Sequence, residues 1–105
     1  KEDCLYLNLW SPRTGEKDLP VFFYIHGGMN SVGEAATGLY HGAKLSRKAG
    51  AIVVTANYRL GPLGFFTHPG LHTGDPLNDS GAYGIRTCFR CSSFSSRISN
   101  VDALM

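Results

Sequence analysis

The residues whose types and spacing most clearly suggest a chemical role are His26, Gly27 and Gly28, which follow directly after the apolar run at residues 21–25. In open α/β sheets, ligands bind in the crevice outside the carboxyl ends of the strands. Glycine allows a tight turn there and leaves the backbone open to a ligand. Two adjacent N–H groups can stabilise an oxyanion that develops in acyl transfer, and losing one such donor costs about 3–4 kcal/mol. The tripeptide is therefore a candidate oxyanion-binding turn, although a glycine turn shaped only by sterics fits it equally well.

The positions of the glycines exclude two phosphate-binding motifs. The sequence has no Gly-x-Gly, so it lacks the fingerprint of dinucleotide-binding folds. Neither Gly33 nor Gly38 is followed by Lys-Ser or Lys-Thr, so the loop is not a P-loop. A third alternative stays open, in which the loop at residues 27–30 binds an anion at a helix N-terminus in a small α/β binding module.

The other metal-capable and redox-capable side chains show no ligand spacing. His41, His68 and His72 lie on a predicted helix and on loops, at separations that fit no metal site. Cys88 and Cys91 form one C-x-x-C, but a zinc or redox site also needs a second ligand pair or a surrounding βαβ unit. We therefore interpret these cysteines as incidental and predict no metal and no cofactor.

The apolar patterns predict three strands and one helix that would position the turn. Residues 5–10 alternate with period two, whereas residues 21–25 and 51–59 are apolar runs typical of strands covered on both faces. Residues 39–48 place apolar side chains along one helical face, and basic residues followed by glycine end the segment. A crossover of this length predicts a right-handed βαβ unit with parallel strands. The predicted fold class is therefore α/β, with helices on both faces of the sheet.

The second half of the chain gives weaker signals. Residues 60–84 are rich in Gly and Pro and are expected to form an irregular loop. From residue 85 onward the sequence is rich in Ser and shows neither helical nor strand periodicity. We therefore expect a mostly parallel sheet of about three strands with one crossover helix and an irregular C-terminal tail.

Composition and charge exclude several classes of protein. The 105 residues are 43% hydrophobic and 17% charged, which is typical of one small globular domain. A net charge of +2 with scattered Lys and Arg does not form the basic face of a nucleic-acid-binding protein. No apolar run approaches the ~20 residues of a membrane-spanning helix, so we predict no membrane span. The chain opens on Lys1 without an initiator Met or a signal peptide, and we expect it to be a fragment.

Three long motifs resemble one known family. "EDCLYLN" (residues 2–8), "IHGG" (25–28) and "NYRLGPLGF" (57–65) occur in the order and spacing of the type-B carboxylesterase and cholinesterase family. The resemblance implies a partial α/β-hydrolase fold and hydrolysis of small-molecule carboxylic esters by a Ser–His–acid triad, with no cofactor. It covers residues 1–86, as the N-terminal part of a longer family domain. Residues 87–105 diverge from the family, and our hypotheses are a shifted reading frame or disorder.

The resemblance also implies roles for individual residues. The N–H groups of Gly28 and Met29 would bind the oxyanion, and Gly27 would shape the turn. Met29 stands where Gly or Ala is common in the family, and its side chain is expected to narrow the entrance or strain the backbone. Asn30 stands where an aromatic residue is frequent and is expected to alter the acyl pocket. His26 is expected to be structural, because the catalytic base of the family lies far downstream.

Two residues, Cys4 and Arg59, lack a partner that the resemblance implies. Cys4 resembles a family cysteine that pairs with an upstream cysteine, and such a disulfide would favour a secreted parent protein. Thr87 stands where the family usually has an Asp, which often pairs with the residue equivalent to Arg59. Arg59 is therefore expected to lack its ion-pair partner, which is costly for a buried guanidinium group.

The nucleophile of such an enzyme is missing from the chain. No Gly-x-Ser-x-Gly occurs, so the chain lacks the elbow that presents a catalytic serine. Acyl transfer has no route without a nucleophile and a general base. We therefore predict a fragment of a serine esterase that carries the oxyanion loop and is inactive by itself. The alternative is a fragment of a non-catalytic cholinesterase-like protein with an adhesion or binding role.

Overall fold

The computed structural model describes residues 3–75 and 80–98. Within these residues a three-stranded sheet is flanked by helices, which confirms the α/β class predicted from the sequence. The strands are β1 (Leu7–Trp10), β2 (Val21–Ile25) and β3 (Ile52–Ala56). The helices are α1 (Ala43–Ala49), α2 (Gly61–Phe65) and α3 (Tyr83–Ile98), with single 3₁₀ turns at Gly38–Tyr40 and Pro69–Leu71.

The sheet has the order β1–β3–β2, so β3 lies in its centre. β2 and β3 run parallel, with Val21 opposite Ile52, which confirms the parallel pairing predicted across the helical crossover. β1 runs antiparallel to β3, with Leu7 opposite Ala56. The sheet is therefore mixed rather than mostly parallel. Period-two alternation identified β1 as a strand, but such a pattern carries no information about the direction of the strand.

Burial follows the position of each strand in the sheet. All five residues of β3 are buried, and Val54 at its centre is inaccessible to solvent. Apolar residues therefore fill both faces of the central strand, as a continuous apolar run predicts. β1 and β2 are partly exposed, and Phe22 and Ile25 are each about half exposed. In the described part of the chain, no further strand pairs with the outer edge of β1 or β2.

The crossover helix α1 begins later than the sequence predicts, because Gly42 passes close to the sheet. A Cβ atom at Gly42 would lie 2.6 Å from both Trp10 and Val53, so only glycine allows this approach. α1 ends at Gly50, which adopts a left-handed conformation with φ of 60°, in line with the predicted C-terminal signal. α1 thus packs on the face of the sheet that carries Trp10 and Val53.

The segment predicted as an irregular loop contains the short helix α2. Pro62 lies in the first turn of α2, where its fixed φ suits a helix and its missing N–H has no partner to lose. Gly64 lies directly against Arg59, since a Cβ atom at Gly64 would overlap the Arg59 carbonyl oxygen. α2 therefore folds back on the segment that follows β3. Residues 76–79 of the predicted loop lie outside the described residues.

The segment predicted as an irregular tail is helical up to Ile98, where α3 ends. The prediction of an irregular tail is therefore wrong over these residues. Gly84 and Cys88 are buried and lie four residues apart, so they share one face of the helix. The sequence did not predict this face, because Gly and Cys are not the large apolar residues whose spacing indicates a helix. The Thr87 hydroxyl donates to the Tyr83 carbonyl oxygen at 2.9 Å, a bond compatible with a helix. Residues 99–105 of the predicted tail lie outside the described residues.

α3 contacts α2, β2 and β3. α1 packs on the Val53 face of β3, yet Val54 on the opposite face is also buried, and we infer that α3 covers that second face. At its start, α3 approaches the segment after β3 through a glycine. A Cβ atom at Gly84 would lie 2.5 Å from the Arg59 carbonyl oxygen, so α3 docks by direct backbone contact.

Candidate functional site

The chain leaves β2 and enters a turn whose backbone requires glycine. Gly28 has φ of 139°, and a Cβ atom at this position would overlap the carbonyl oxygen of Val32. Met29 and Asn30 follow in the left-handed region, with φ of 54° and 58°. Asn tolerates this region, but a residue such as Met is destabilised in it by roughly 1–2 kcal/mol. Met29 thus lies in the strained backbone that the sequence led us to expect at this position.

Two hydrogen bonds fix the peptide group that carries the Met29 N–H. The Gly28 carbonyl oxygen accepts hydrogen bonds from the N–H groups of Ser31 and Val32, at 3.0 and 3.1 Å. In a trans peptide, the C=O group and the following N–H group point in opposite directions. The Met29 N–H therefore points away from the turn that Gly28 closes, and Met29 is 91% exposed to solvent.

A side chain fixes the preceding peptide group in the same way. His26 Nδ1 lies 3.0 Å from the Gly27 carbonyl oxygen, which can only accept, so Nδ1 carries the proton and donates. The Gly28 N–H lies in the same peptide plane and points in the direction opposite to that carbonyl. Among the described residues, neither the Gly28 N–H nor the Met29 N–H donates a hydrogen bond. Two consecutive donors thus remain available at the carboxyl end of β2.

His26 is buried and closely packed. Its ring stacks on Tyr58 with 4.6 Å between centroids, and the Tyr58 hydroxyl donates to the His26 carbonyl oxygen at 2.6 Å. Gly33 lies against the imidazole, where a Cβ atom would come within 2.6 Å of Nδ1. Nε2 is buried and has no hydrogen-bond partner in residues 3–75 or 80–98. These contacts support a structural role for His26 rather than that of a solvent-accessible base.

A further hydrogen bond joins the turn to the start of α2. The Gly61 N–H donates to the Asn30 carbonyl oxygen at 2.6 Å. Gly61 has a positive φ of 57°, a conformation that glycine reaches at little cost. Since Tyr58 also stacks on His26, the motifs "IHGG" and "NYRLGPLGF", which are far apart in the sequence, are in contact beside the turn.

Two residues that hold the turn were not singled out from the sequence. Tyr58 and Gly33 both contact the imidazole of His26. Tyr58 lies inside the motif at residues 57–65, and its place in that motif could have identified it as a candidate site residue. No local pattern distinguishes Gly33 from the other loop glycines, because its role depends on a contact that only the folded chain makes.

The histidines outside the turn do not join this site. His41 packs against Trp10 with 5.1 Å between ring centroids and the ring planes tilted by 56°, and His68 accepts a hydrogen bond from the Gly70 N–H. The described residues contain no group of three or more His, Cys, Asp or Glu side chains that could hold a metal ion. None of the described helices combines the length and the apolar character needed to cross a lipid bilayer.

In the described part of the chain, Arg59 forms no ion pair and Cys4 forms no disulfide. Arg59 is partly buried and forms no ion pair with a described carboxylate. Thr87 directs its hydroxyl to the helix backbone. No disulfide joins Cys4, Cys88 and Cys91 to one another.

Burial raises the pKa of three groups close to the turn. The pKa of Tyr58 is raised by burial first and then by the nearby Cys88 thiol. The pKa of Cys88 is raised by burial and then by the Cys91 thiol, and burial also raises the pKa of Cys91. The folded chain therefore keeps all three groups protonated to higher pH than an unfolded chain would.

We expect the folded chain to lose stability as the pH rises above about 8.5, where an unfolded-chain cysteine begins to release its proton. In this range the unfolded state binds fewer protons than the folded state, so the free energy of unfolding falls with pH. Thermal unfolding measured between pH 7 and pH 10 tests this expectation. The double variant Cys88→Ala/Cys91→Ala should show a shallower fall, and an equal fall in both chains would show that these thiols are not linked to folding.

A sequence profile of the carboxylesterase family matches residues 1–75 of the chain. The chain belongs to the carboxylesterase family. The matched residues include all three strands, α1, α2 and the turn at residues 27–29 of this carboxylesterase-family chain. The family resemblance carried by the three motifs is therefore confirmed.

The relatives of this carboxylesterase-family chain include esterases and a lipase. It is 49% identical over 85 residues to a fumonisin B1 esterase from Sphingopyxis macrogoltabida, covering 80% of this chain and 16% of the relative. It is 53% identical over 64 residues to a para-nitrobenzyl esterase from Bacillus subtilis, covering 61% of this chain and 13% of the relative. It is 44% identical over 94 residues to a bile salt-activated lipase from Homo sapiens, covering 81% of this chain and 12% of the relative. The chain thus spans 12–16% of the length of these relatives.

Solved esterase structures share the fold of this carboxylesterase-family chain. It superposes on a thermophilic PNB esterase with a TM-score of 0.76 and 36% sequence identity, covering 96% of this chain and 20% of that one. A second PNB esterase gives a TM-score of 0.75 at the same identity and coverage. The partial α/β-hydrolase fold is therefore confirmed, and because 96% of the chain is matched, the similarity extends into α3.

Proposed function

We propose that this chain is the oxyanion-binding part of a serine carboxylic-ester hydrolase. The N–H groups of Gly28 and Met29 are the proposed donors, and the Gly27 carbonyl oxygen, which His26 holds, orients the first of them. One observation carries the proposal: two consecutive N–H groups lack an acceptor among the described residues, while the carbonyl of each of these two peptide groups, which points in the opposite direction, is held by hydrogen bonds. The donors are thus oriented before a substrate arrives, as oxyanion stabilisation requires.

The substrate of this proposed site is a small-molecule carboxylic ester. Attack on the ester carbonyl places negative charge on its oxygen, and the two N–H groups would stabilise that charge. Fixed donors need no reorganisation in the transition state, which is why they act more strongly than water. The exposed Met29 side chain lies next to one donor, so it would contact the ester group that enters the turn.

The chain alone is expected to show no esterase turnover. It contains no Gly-x-Ser-x-Gly, and His26 is packed inside the turn with Nδ1 already bonded. Without a nucleophile and a free base, covalent acyl transfer has no route. Hydrolysis of p-nitrophenyl acetate by the purified chain should therefore match the buffer rate. Saturable turnover that an organophosphate titrates at one site per chain would contradict this expectation.

The oxyanion role itself is best tested in a chimera. Residues 3–75 of this chain would replace the matching segment of the Bacillus subtilis para-nitrobenzyl esterase, which is 53% identical over 64 residues. We expect the chimera to keep kcat within about tenfold of the parent, because losing even one oxyanion donor typically costs 10²–10³-fold. A second chimera with Met29→Gly separates strain at this position from loss of the donors. If both chimeras fold and both lose about 10³-fold or more in kcat, the turn does not serve as an oxyanion site.

A further inference from the structure

Ala35 is a loop residue whose backbone is bound entirely by side chains of the sheet. It is 2% exposed, although it lies between the turn and α1 in no regular element. The Ala35 N–H donates to Asn57 Oδ1 at 2.6 Å. The Ala35 carbonyl oxygen accepts from Asn8 Nδ2 at 3.2 Å and from the Thr55 hydroxyl at 3.3 Å. A buried loop residue needs partners of this kind, because no ladder or helix satisfies its polar groups.

The side chains that hold Ala35 come from rigid parts of the sheet. Asn8 lies opposite Thr55 in the antiparallel β1–β3 pair, and Asn8 Nδ2 also donates to the Thr55 hydroxyl at 3.2 Å. Asn57 follows β3 directly, and its own N–H donates to the Tyr6 carbonyl oxygen at 2.9 Å, which extends the pairing. The two asparagines belong to the motifs "EDCLYLN" and "NYRLGPLGF".

We propose that Asn8 and Asn57 are positioning residues for the oxyanion turn and act by clamping Ala35. Ala35 follows Gly33 by two residues, and Gly33 packs against the His26 imidazole. That imidazole in turn holds the Gly27 carbonyl group, whose peptide carries one proposed donor. The clamp therefore fixes the far end of the loop, while neither asparagine contacts the substrate. The catalytic part of this inference rests on the proposed function, whereas the structural part does not.

The two asparagines have opposite hydrogen-bonding roles, which makes the clamp directly testable. Asn57 acts as an acceptor, so an aspartate at this position keeps the bond to the Ala35 N–H. Asn8 acts as a donor to the Ala35 carbonyl and to Thr55, so an aspartate there has no proton to give at neutral pH. If Asn8 and Asn57 served only for packing, changing either amide to a carboxylate would have the same effect on the Ala35 backbone.

The first arm of the test is amide hydrogen exchange in the 105-residue chain at pH 7. In Asn57→Leu the Ala35 N–H loses its acceptor, and its exchange should accelerate by roughly tenfold or more. Asn57→Asp should keep the exchange of the Ala35 N–H close to that of the unmodified chain. Asn8→Asp should accelerate the exchange of the Ala35 N–H, because a carboxylate that cannot donate then faces the Ala35 carbonyl oxygen. Equal exchange in Asn57→Asp and Asn57→Leu would overturn the clamp.

The second arm uses the para-nitrobenzyl esterase chimera and also covers the case in which a variant chain fails to fold alone. Asn57→Leu should lower kcat by roughly tenfold or more with little change in KM, and Asn57→Asp should restore it. Equal kcat in the two variants would overturn the positioning role. If chimeras with Asn57 fold but are inactive both with Met29 and with Met29→Gly, while the exchange pattern is as expected, the proposed function is refuted and the structural clamp stays in place.

Discussion

The Gly28→Ala variant is expected to lose roughly 2–5 kcal/mol of stability, because steric overlap and backbone strain add at this position. The new Cβ atom would overlap the Val32 carbonyl oxygen, and φ of 139° is a conformation that an L-residue rarely adopts. Relieving the overlap breaks the hydrogen bonds that Ser31 and Val32 donate to Gly28. Urea unfolding of the chain measures the loss of stability. In the chimera, kcat should fall by about 10²-fold or more, since one donor is misdirected.

The adjacent glycine provides a matched control for this prediction. A Cβ atom at Gly27 meets no other atom within 4 Å, and Gly27 is not among the residues with positive φ. Gly27→Ala adds the same methyl group one residue earlier and should change stability by no more than about 0.5 kcal/mol. Equal stability of the Gly28→Ala and Gly27→Ala chains would show that the turn does not adopt the backbone described above.

The Gly84→Ala variant is expected to destabilise the chain by about 1–3 kcal/mol, although alanine is the better helix former. Alanine within α3 gains about 1 kcal/mol of helix propensity over glycine. The new Cβ atom would nevertheless lie 2.5 Å from the Arg59 carbonyl oxygen and 2.9 Å from the Phe65 ring. Because backbone cannot move aside as a flexible side chain can, the steric cost outweighs the propensity gain. The urea midpoint measures the difference.

An exposed residue of the same helix separates these two effects. Ser92 lies on α3 with its side chain in solvent, so Ser92→Ala changes helix propensity without a steric contact. This variant should be more stable by a few tenths of a kcal/mol. If Gly84→Ala is stabilised to a similar extent, α3 does not dock against Arg59 and Phe65 as described.

The strands were predictable because each carries a pattern with a direct physical cause. β3 is buried at every residue and apolar at every residue except Thr55, and β2 carries the same kind of apolar run on a more exposed strand. The direction of β1 was not predictable, because alternation is the same for parallel and antiparallel strands. α3 was not predictable, because the buried residues among its described side chains are Gly84 and Cys88, which are not the large apolar residues that indicate a helix face.

The location of the turn was predictable from the sequence, but the residues that hold the turn in place were not. His26, Gly27 and Gly28 follow an apolar run that predicts a strand, and the strain at Met29 follows from its residue type. The Ala35 clamp requires Asn8 to lie opposite Thr55, and that register exists only once β1 pairs antiparallel with β3. Residues that hold a site from other elements leave no local pattern, so they emerge only from the folded chain.

The outer edge of β2 has a further consequence for how a longer relative becomes active. Among the described residues, this edge pairs with no strand, and β2 ends at the two available N–H groups. A strand added there in the parallel direction would lie about 4.8 Å away, and its carboxyl end would emerge beside Gly28. A hydroxyl group delivered by that strand would reach a bound carbonyl without further rearrangement. Sheet completion would then deliver the nucleophile to the two N–H groups in one step, and an incompletely folded polypeptide, or one without the general base, would remain catalytically silent.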